Sequence, residues 1–144
     1  MQKLVERSAR AFEEAYHNRP RGGVVLVNGR GEVLVLKDAT NGKWSFPKGA
    51  IEPCDCGEIL KTAERETREE CGLLRGRDYT LYDTRFMNHY NATYFIADLK
   101  EGAEERVVVD PAEASAVAWI LPERCSLPYK DLNAGVRQFL KGRW

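Results

Sequence analysis

The chain has 144 residues, of which 31% are charged and 43% are apolar, the proportions of an ordinary globular protein. This length suits one domain rather than two independent cores, so a single domain over residues 1–144 is expected. Its 22 basic and 22 acidic residues cancel, which excludes a strong overall charge as the means of binding nucleic acid or acidic membranes. No apolar run approaches the roughly 20 residues that cross a bilayer, and the first residues lack the apolar core of a signal peptide. We therefore expect a cytoplasmic protein that does not bind membranes.

The first half of the chain predicts a helix followed by a hairpin. Apolar residues recur at helical spacing from Leu4 to Tyr16 and predict an N-terminal helix over about 4–16. Two apolar runs, 24–27 and 33–36, flank an Asn-Gly turn and predict a β-hairpin. Because neither run alternates with polar residues, both faces of the sheet should be covered, which favours a layered α/β arrangement.

A second helix is predicted from about Glu58 to Cys71, where Gly72 ends it. Apolar or small side chains recur along one side of this segment at three- and four-residue steps, which gives it a face directed at the core. The remaining predicted elements are strands over 80–86, 92–99, 107–109 and 117–121 and a final helix over about 130–140.

The four cysteines do not have the paired spacing of a structural zinc site. They are Cys54, Cys56, Cys71 and Cys125. Reduced thiols are expected, and the proximity of Cys54 and Cys56 leaves a redox role open because sequence gives neither the pKa nor the exposure of a thiol.

Three glutamates of the second predicted helix form a compact group. Glu66, Glu69 and Glu70 stand at positions i, i+3 and i+4, so their side chains leave one face of the helix within a turn of each other. Carboxylates at this spacing repel and need a cation or full solvation. A hard divalent ion supplies that cation, since Mg²⁺ takes carboxylate, water and phosphate oxygens as ligands. The spacing therefore predicts a site for metal and phosphate.

The alternative is that this acidic run is only a solvated helix surface, held by pairs such as Arg65 with Glu69. Taken alone, such a run is more often a surface than a site. Its context favours a site, because Gly49 stands upstream after a Phe-Pro-Lys turn and Gly72 ends the helix. The glutamate-bearing face also lies away from the apolar one.

The segment from Gly49 to Leu73 resembles the Nudix box, G-x5-E-x7-R-E-U-x-E-E-x-G-U. Its second half, Arg65-Glu66-Thr67-Arg68-Glu69-Glu70-Cys71-Gly72-Leu73, matches at every defined position if Thr67 is allowed at the apolar one. Its first half is two residues longer than the pattern, around Cys54-Asp55-Cys56-Gly57. Either Asp55 or Glu58 could therefore take the place of the first glutamate, which in the family orients the arginine. Glu58 is favoured, because on an uninterrupted helix it lies two turns from Arg65 on the same side.

This resemblance implies the Nudix fold, an α/β/α sandwich with a central mixed sheet, over most of the chain from Gly22 to Leu140. It also implies that Mg²⁺, for which Mn²⁺ could substitute, is held by the residues that match the family's ligands. These are the backbone carbonyl of Gly49 and the carboxylates of Glu66, Glu69 and Glu70.

In the family, water attacks phosphorus in line while metal ions and a cation neutralise the phosphoryl oxygens. Arg65 is accordingly counted with the catalytic residues. A carboxylate must accept the proton of that water, and Glu66, Glu69 and Glu113 all remain candidates.

The segment from Trp44 to Gly49 resembles most closely the family members that hydrolyse diadenosine tetraphosphate asymmetrically, and a similar segment occurs in RNA 5′-end pyrophosphohydrolases. The resemblance directs Lys48 at a phosphate and Tyr94 at a base, with Tyr90 and His89 also within reach of substrate. Val117 stands where this subgroup often has a second aromatic residue.

The leading hypothesis is therefore Mg²⁺-dependent hydrolysis of a diphosphate linkage in a small anionic nucleotide, such as a dinucleoside polyphosphate. An RNA 5′ end is the second candidate substrate, and diphosphoinositol polyphosphates are a third, disfavoured by the lack of a strong basic cluster. A Nudix domain that only binds nucleotide or RNA is the non-enzymatic alternative, against which the intact glutamates argue. No obligate protein partner is indicated.

Overall fold

The structure is a computed structural model that describes residues 18–142. The predicted N-terminal helix over 4–16 lies outside the described residues. Within the described residues there are two α-helices, α1 (Ile59–Cys71) and α2 (Ala134–Leu140). The strands are β1 (Arg21–Val27), β2 (Val33–Asp38), β3 (Trp44–Ser45), β4 (Lys48–Ala50), β5 (Tyr79–His89), β6 (Ala92–Leu99) and β7 (Ala114–Ile120).

These strands form one mixed sheet. Its main order is β3-β2-β1-β6-β5, with β4 paired to β1 and β7 paired to β2. Strands β1 and β6 run parallel, from Arg21 opposite Ala92 to Val27 opposite Asp98, and the other pairs are antiparallel. The predicted hairpin of β1 and β2 is confirmed, with Val27 opposite Val33.

The two faces of the sheet carry separate apolar clusters, each covered by one helix. On one face Ala63 and Cys71 of α1 pack among residues such as Val24, and on the other Val136 of α2 packs among residues such as Val25. This arrangement confirms the predicted α/β layering. None of the helices in residues 18–142 is long and apolar enough to cross a membrane.

Two predicted elements differ from the structure. Residues 107–109 do not form a strand, because the backbone N–H of Val108 bonds to the carbonyl of Cys71 instead of to a neighbouring strand, and 70% of Val108 is exposed. The last helix begins at Ala134 rather than near residue 130. A 3-10 turn over Tyr129–Asp131 precedes it, and the side chain of Asn133 caps the helix by accepting the N–H of Gly135.

A buried carboxylate fixes the connection between α1 and β5. Asp78 is fully buried and lies 2.7 Å from Nη2 of Arg77 and 2.9 Å from Nη1 of Arg106. It also accepts the backbone N–H of Leu74 at 2.7 Å. Burial raises the pKa of Asp78, but the hydrogen bonds from Arg77 and Leu74 outweigh it and lower the pKa to about 2.

Replacing this carboxylate should remove a contribution to stability that depends on pH. Asp78→Asn should lower the free energy of unfolding at neutral pH by about 2–3 kcal/mol, the linkage value of a carboxyl group shifted from its ordinary pKa to about 2. Since the folded-state pKa is the lower one, this stabilisation is complete above about pH 5 and is lost as the pH falls towards 2. Urea unfolding of both proteins from pH 7 to pH 3 measures it. A difference in unfolding free energy that stays constant over that range would contradict the assignment.

Candidate active site

Helix α1 brings Glu66 against the backbone of β4. A Cβ atom at residue 49 would overlap the carboxylate of Glu66, so only glycine leaves room for it. Gly49 pairs with Gly22 of β1, where a Cβ would lie 2.7 Å from the carbonyl oxygen of Ile59 and 2.9 Å from the nitrogen of Ala63. Both glycines therefore allow the helix and the sheet to approach closely enough to place Glu66 beside Gly49.

Arg65 is held by the loop that precedes α1. Its Nε and Nη2 atoms each donate to an oxygen of Asp55 at 3.0 Å, and Nη2 also donates to the carbonyl of Ala50 at 3.1 Å. Asp55 is 2% exposed and accepts the hydroxyl of Thr62 at 2.8 Å. The hydrogen bonds from Arg65 hold the pKa of Asp55 well below its usual range, so this paired carboxylate stays ionised.

The preference for Glu58 as the residue that orients Arg65 was wrong. Glu58 lies before the first residue of α1, its side chain is 61% exposed, and its ion-pair partner is Lys61 at 3.4 Å. The 3-10 turn over Pro53–Asp55, in the lengthened part of the loop, instead carries Asp55 beneath Arg65. The longer loop therefore places the carboxylate that contacts Arg65 at position 55.

Arg65 also lies between two of the predicted metal ligands. Its Nη1 atom donates to Glu66 at 2.9 Å and to Glu69 at 3.2 Å. Glu69 is half exposed, whereas the side chain of Glu66 is 13% exposed. The guanidinium thus offsets part of the carboxylate repulsion, and the predicted pair of Arg65 with Glu69 coexists with the site.

Glu70 faces a cleft of about 330 Å³ on the other side of Glu66. Its carboxylate accepts the backbone N–H of Lys48 at 3.1 Å. The ammonium of Lys48 lies 3.5 Å from the side-chain oxygen of Asn133 at the start of α2. Glu113 lines the same cleft, so the structure brings the predicted residues Lys48, Glu70 and Glu113 together.

Burial disfavours the charged forms of these groups. It raises the pKa of Glu70 to about 8, with a further contribution from the charge of Glu66, and it is also the main cause that raises the pKa of Glu66. Burial and the nearby Arg21 lower the pKa of Lys48. A cation placed among these carboxylates would reverse the shifts of Glu66 and Glu70, because an opposite charge favours the ionised form.

The donor set fits a hard divalent cation that keeps some ligands of its own. Within residues 18–142, no group of three or more acidic, histidine or cysteine side chains is arranged so that it could hold a metal ion, so a cation here would need backbone, water or substrate oxygens as well. Glu66 and Glu70, together with the carbonyl of the adjoining Gly49, supply oxygen donors only. That chemistry suits Mg²⁺, which usually retains waters and binds substrate phosphates.

The predicted aromatic contacts are not assembled in the cleft. Tyr94 is 1% exposed, its ring packs edge-on against Phe46 with centroids 5.7 Å apart, and Gly135 covers its hydroxyl. Its ring has no open face, which corrects the prediction that Tyr94 stacks on a base. Tyr90 is 94% exposed, and it and His89 contact each other near the turn between β5 and β6 rather than lining the cleft.

Some residues of the cleft were missed by the sequence analysis. Arg21 and Asp110 line it, as do Ser45 and Phe46 of the predicted Trp44–Gly49 segment. Arg21 directly precedes Gly22 and Gly23, so its adjacency to that glycine pair was the available signal. No local sequence pattern predicts that Asp110 lies at the cleft, because its position depends on the path of the loop before β7.

A comparison of the sequence with protein-family models assigns the chain. The NUDIX domain model matches residues 17–141. The chain belongs to the Nudix family. This confirms the predicted family and fold, and the segment from Gly49 to Leu73 is its Nudix box with a lengthened loop.

Curated relatives match only the central part of this Nudix chain. An RNA pyrophosphohydrolase from Acinetobacter baylyi is 44% identical over 57 residues, which are 39% of this chain and 32% of that protein. An 8-oxo-dGDP phosphatase from Danio rerio is 39% identical over 54 residues, which are 35% of this chain and 16% of that protein. The chain therefore matches about a third or less of the length of these relatives.

Solved structures show the same Nudix fold over more of the chain. A Nudix hydrolase from M. smegmatis superimposes with a TM-score of 0.64 and 19% identity, covering 87% of this chain and 83% of that one. An Ap4A hydrolase from C. elegans in a binary complex gives a TM-score of 0.58 and 24% identity, covering 73% of this chain and 81% of that one. At these identities the likeness concerns the fold.

The close approach at the first glycine of the Nudix box is directly testable. Gly49→Ala places a methyl group where the Glu66 carboxylate lies, so Glu66 must rotate away. We expect a loss of about tenfold or more in turnover but little change in the free energy of unfolding, because the atoms that must move are the end of the flexible Glu66 side chain. Steady-state kinetics and urea unfolding measure the two effects. Gly29→Ala is the control, since a Cβ there meets nothing within 4 Å. Unchanged turnover in Gly49→Ala would contradict the placement of Glu66.

Proposed function

We propose that this protein hydrolyses a diphosphate linkage in a nucleoside diphosphate joined to another moiety, in a reaction that depends on Mg²⁺. The observation that carries the proposal is that Glu70 and Lys48 line one cleft, where Glu70 accepts the backbone N–H of Lys48, while Glu66 lies against the adjoining Gly49. Carboxylates alone would repel an anionic substrate, whereas carboxylates that hold a divalent cation next to a lysine attract phosphate. The family assignment supports the same reaction.

Each residue of the site has a role in this proposal. Glu66, Glu70 and the Gly49 carbonyl would hold the metal, which activates water and neutralises charge on the phosphoryl oxygens. Lys48 is a compact charge for a phosphate oxygen, and Asn133 keeps its ammonium at the cleft. Arg65 orients Glu66, and Asp55 in turn orients Arg65.

Glu113 is the proposed proton acceptor among the three candidates. Glu66 and Glu69 each accept a hydrogen bond from Arg65, which occupies one oxygen of each carboxylate and restricts its orientation. Glu113 is exposed at the cleft, on the loop before β7. A base must reach the attacking water, and a carboxylate that is free to turn towards the cleft meets that need.

The proposed substrate is a dinucleoside polyphosphate such as diadenosine tetraphosphate. The Trp44–Gly49 segment supports this choice, as does the fold shared with an Ap4A hydrolase from C. elegans. A cleft of about 330 Å³ is at the small end of ligand sites, so it would enclose one end of the substrate while the other lies outside. A molecule with a nucleoside at each end satisfies this condition.

A triphosphorylated or capped RNA 5′ end is the second candidate. It is favoured by the relative from Acinetobacter baylyi, an RNA pyrophosphohydrolase with 44% identity over 57 residues. An RNA 5′ end also presents one terminal nucleotide and polyphosphate to the cleft while the rest of the strand remains outside.

The test is hydrolysis by the purified protein with Mg²⁺ of diadenosine tetraphosphate, capped and triphosphorylated RNA, ADP-ribose, nucleoside triphosphates and a diphosphoinositol polyphosphate. We expect diadenosine tetraphosphate to give ATP and AMP, EDTA to stop the reaction and Glu66→Gln to remove it. Glu64→Gln is the matched control for diadenosine tetraphosphate, because Glu64 lies on the same helix and its ion pair among residues 18–142 is with Arg75 at 3.8 Å. Selective cleavage of RNA would establish the second candidate. Silence towards every compound, with nucleotide still bound, would favour a Nudix domain that only binds.

A further inference from the structure

A second and larger cleft, of about 570 Å³, lies on the outer side of α1. The 54–55 loop forms one wall and residues 73–75, which follow the helix, form another. Arg65 lines this cleft while its Nη1 atom contacts Glu66 and Glu69 on the side of the candidate active site. The second cleft therefore adjoins the carboxylates but is distinct from the cleft that Lys48 and Glu70 share.

Cations outnumber carboxylates in this second cleft. Its charged lining consists of Lys61, Arg65, Arg68, Arg75, Asp55 and Glu64. Asp55 is taken up by the two bonds to Arg65, and Glu64 lies 3.8 Å from Arg75. Both carboxylates of the lining are thus paired, and neither of them pairs with Lys61 or Arg68.

Lys61 and Arg68 are free to receive an anion. Lys61 pairs with Glu58 at 3.4 Å, but both side chains are more than half exposed and such a pair is weak. The guanidinium of Arg68 has no hydrogen bond or ion pair with any residue that the structure describes. The two positions are seven residues apart on the same side of α1, about 10.5 Å along its axis. That separation suits successive phosphates of a chain better than a single phosphate.

The cleft also has an apolar wall. Leu73 and Leu74 line it, and Leu74 remains 38% exposed. A ribose or a base could rest on this wall while the phosphates on either side meet Arg68 and Lys61. Because the chain has no net charge, such a local pair of cations is the means by which this surface would attract a nucleic acid strand.

We propose that this second cleft holds the phosphodiester backbone of an RNA strand whose 5′ end lies at Glu66 and Glu70. The inference rests on the proposed hydrolytic function with an RNA 5′ end as the substrate. An RNA strand would reach the second cleft, whereas a dinucleotide would not. Lys61 and Arg68 bind phosphate without reading sequence, so they add affinity to any strand equally.

The test is binding of a 3′-labelled, 5′-triphosphorylated 12-nucleotide RNA to protein carrying Glu66→Gln, which prevents cleavage. Adding Lys61→Gln and Arg68→Gln should weaken binding about tenfold and reduce the slope of log Kd against log salt by about 1.4, the value for two phosphate contacts on a single strand. Arg124→Gln with Lys141→Gln is the control, since it removes the same charge from exposed positions outside the cleft. An unchanged slope in the Lys61 and Arg68 variant would overturn the proposal.

Hydrolysis with Glu66 intact separates the possible ligands. The Lys61 and Arg68 variant should lose about tenfold in kcat/KM for the RNA while its kcat/KM for diadenosine tetraphosphate is unchanged. Inorganic triphosphate is then tested as a competitor of RNA binding. If it displaces the RNA from the control protein but not from the Lys61 and Arg68 variant, the cleft holds a free polyphosphate and the RNA assignment fails. If the salt slope falls as expected but no compound is hydrolysed, the cleft stands and the proposed hydrolytic function fails.

Discussion

Glu70→Gln is expected to reduce kcat by at least about a hundredfold with little change in stability. Glu70 lies at the cleft and, with Glu66 and the Gly49 carbonyl, is proposed to hold a divalent cation. Removing its charge weakens the hold on that cation, whose contribution to the transition state is several kcal/mol, and each 1.36 kcal/mol is about a tenfold change in rate. Glutamine keeps a carbonyl oxygen that can still accept the N–H of Lys48, so the contact at 3.1 Å can persist.

The measurement is steady-state hydrolysis across a Mg²⁺ titration, together with urea unfolding. We expect the apparent affinity for Mg²⁺ to fall as well as kcat, because the substitution acts on the cation. Glu64→Gln, on the same helix, should leave both quantities unchanged. Rates in Glu70→Gln equal to those of the unsubstituted protein would remove Glu70 from the metal site.

Asp55→Ala is expected to destabilise the protein by about 2–3 kcal/mol and to reduce turnover. The side chain of Arg65, which is 10% exposed, loses its two bonds to Asp55 but keeps Glu66 and Glu69, so the cost falls below the roughly 3–5 kcal/mol of a buried charge left without any partner. The hydroxyl of Thr62 loses its acceptor as well. Freed from the loop, Arg65 can follow Glu66 and Glu69, which disturbs the position of the proposed metal ligands.

Glu58→Ala tests whether Asp55 or Glu58 is the carboxylate that holds Arg65. Its side chain is 61% exposed and pairs only with Lys61, so its loss should change the free energy of unfolding by no more than about 0.5 kcal/mol. Thermal or urea unfolding of both variants, with their kcat, gives the comparison. A larger loss in Glu58→Ala than in Asp55→Ala would restore Glu58 as the partner of Arg65. Asp55→Asn should recover part of the stability, because its amide oxygen can still accept one bond from Arg65.

The sequence was informative wherever function depends on local spacing. The period of 3.6 residues placed Glu66, Glu69 and Glu70 on one side of a helix that runs over Ile59–Cys71, within one residue of its predicted start. The apolar runs around Asn28-Gly29 predicted β1 and β2 for the same reason. Both patterns are set by neighbours along the chain, so they are visible without the fold.

Residues that act from loops or across the sheet were harder to predict. Tyr94 alternates as a strand residue should, but only the packing of α2 over β6 shows that its ring faces Phe46 and the backbone of Gly135. The run 107–109 has β-forming residues, yet the chain there passes beside the end of α1 without a strand to pair with. In both cases the deciding contact comes from a distant part of the sequence.

Local patterns were enough to predict the family, the α/β layering and the carboxylate helix, because these follow from periodicity and from a motif of fixed spacing. The packing of distant segments was needed to show that Asp55 rather than Glu58 holds Arg65, that Glu66 lies against Gly49, and that Lys48, Glu70 and Glu113 share one cleft. The path of a loop depends on what it packs against, and a 3-10 turn at Pro53–Asp55 was enough to move the carboxylate. Local spacing fixes which side of a helix a residue occupies, whereas the partner that it meets is fixed by the fold around it.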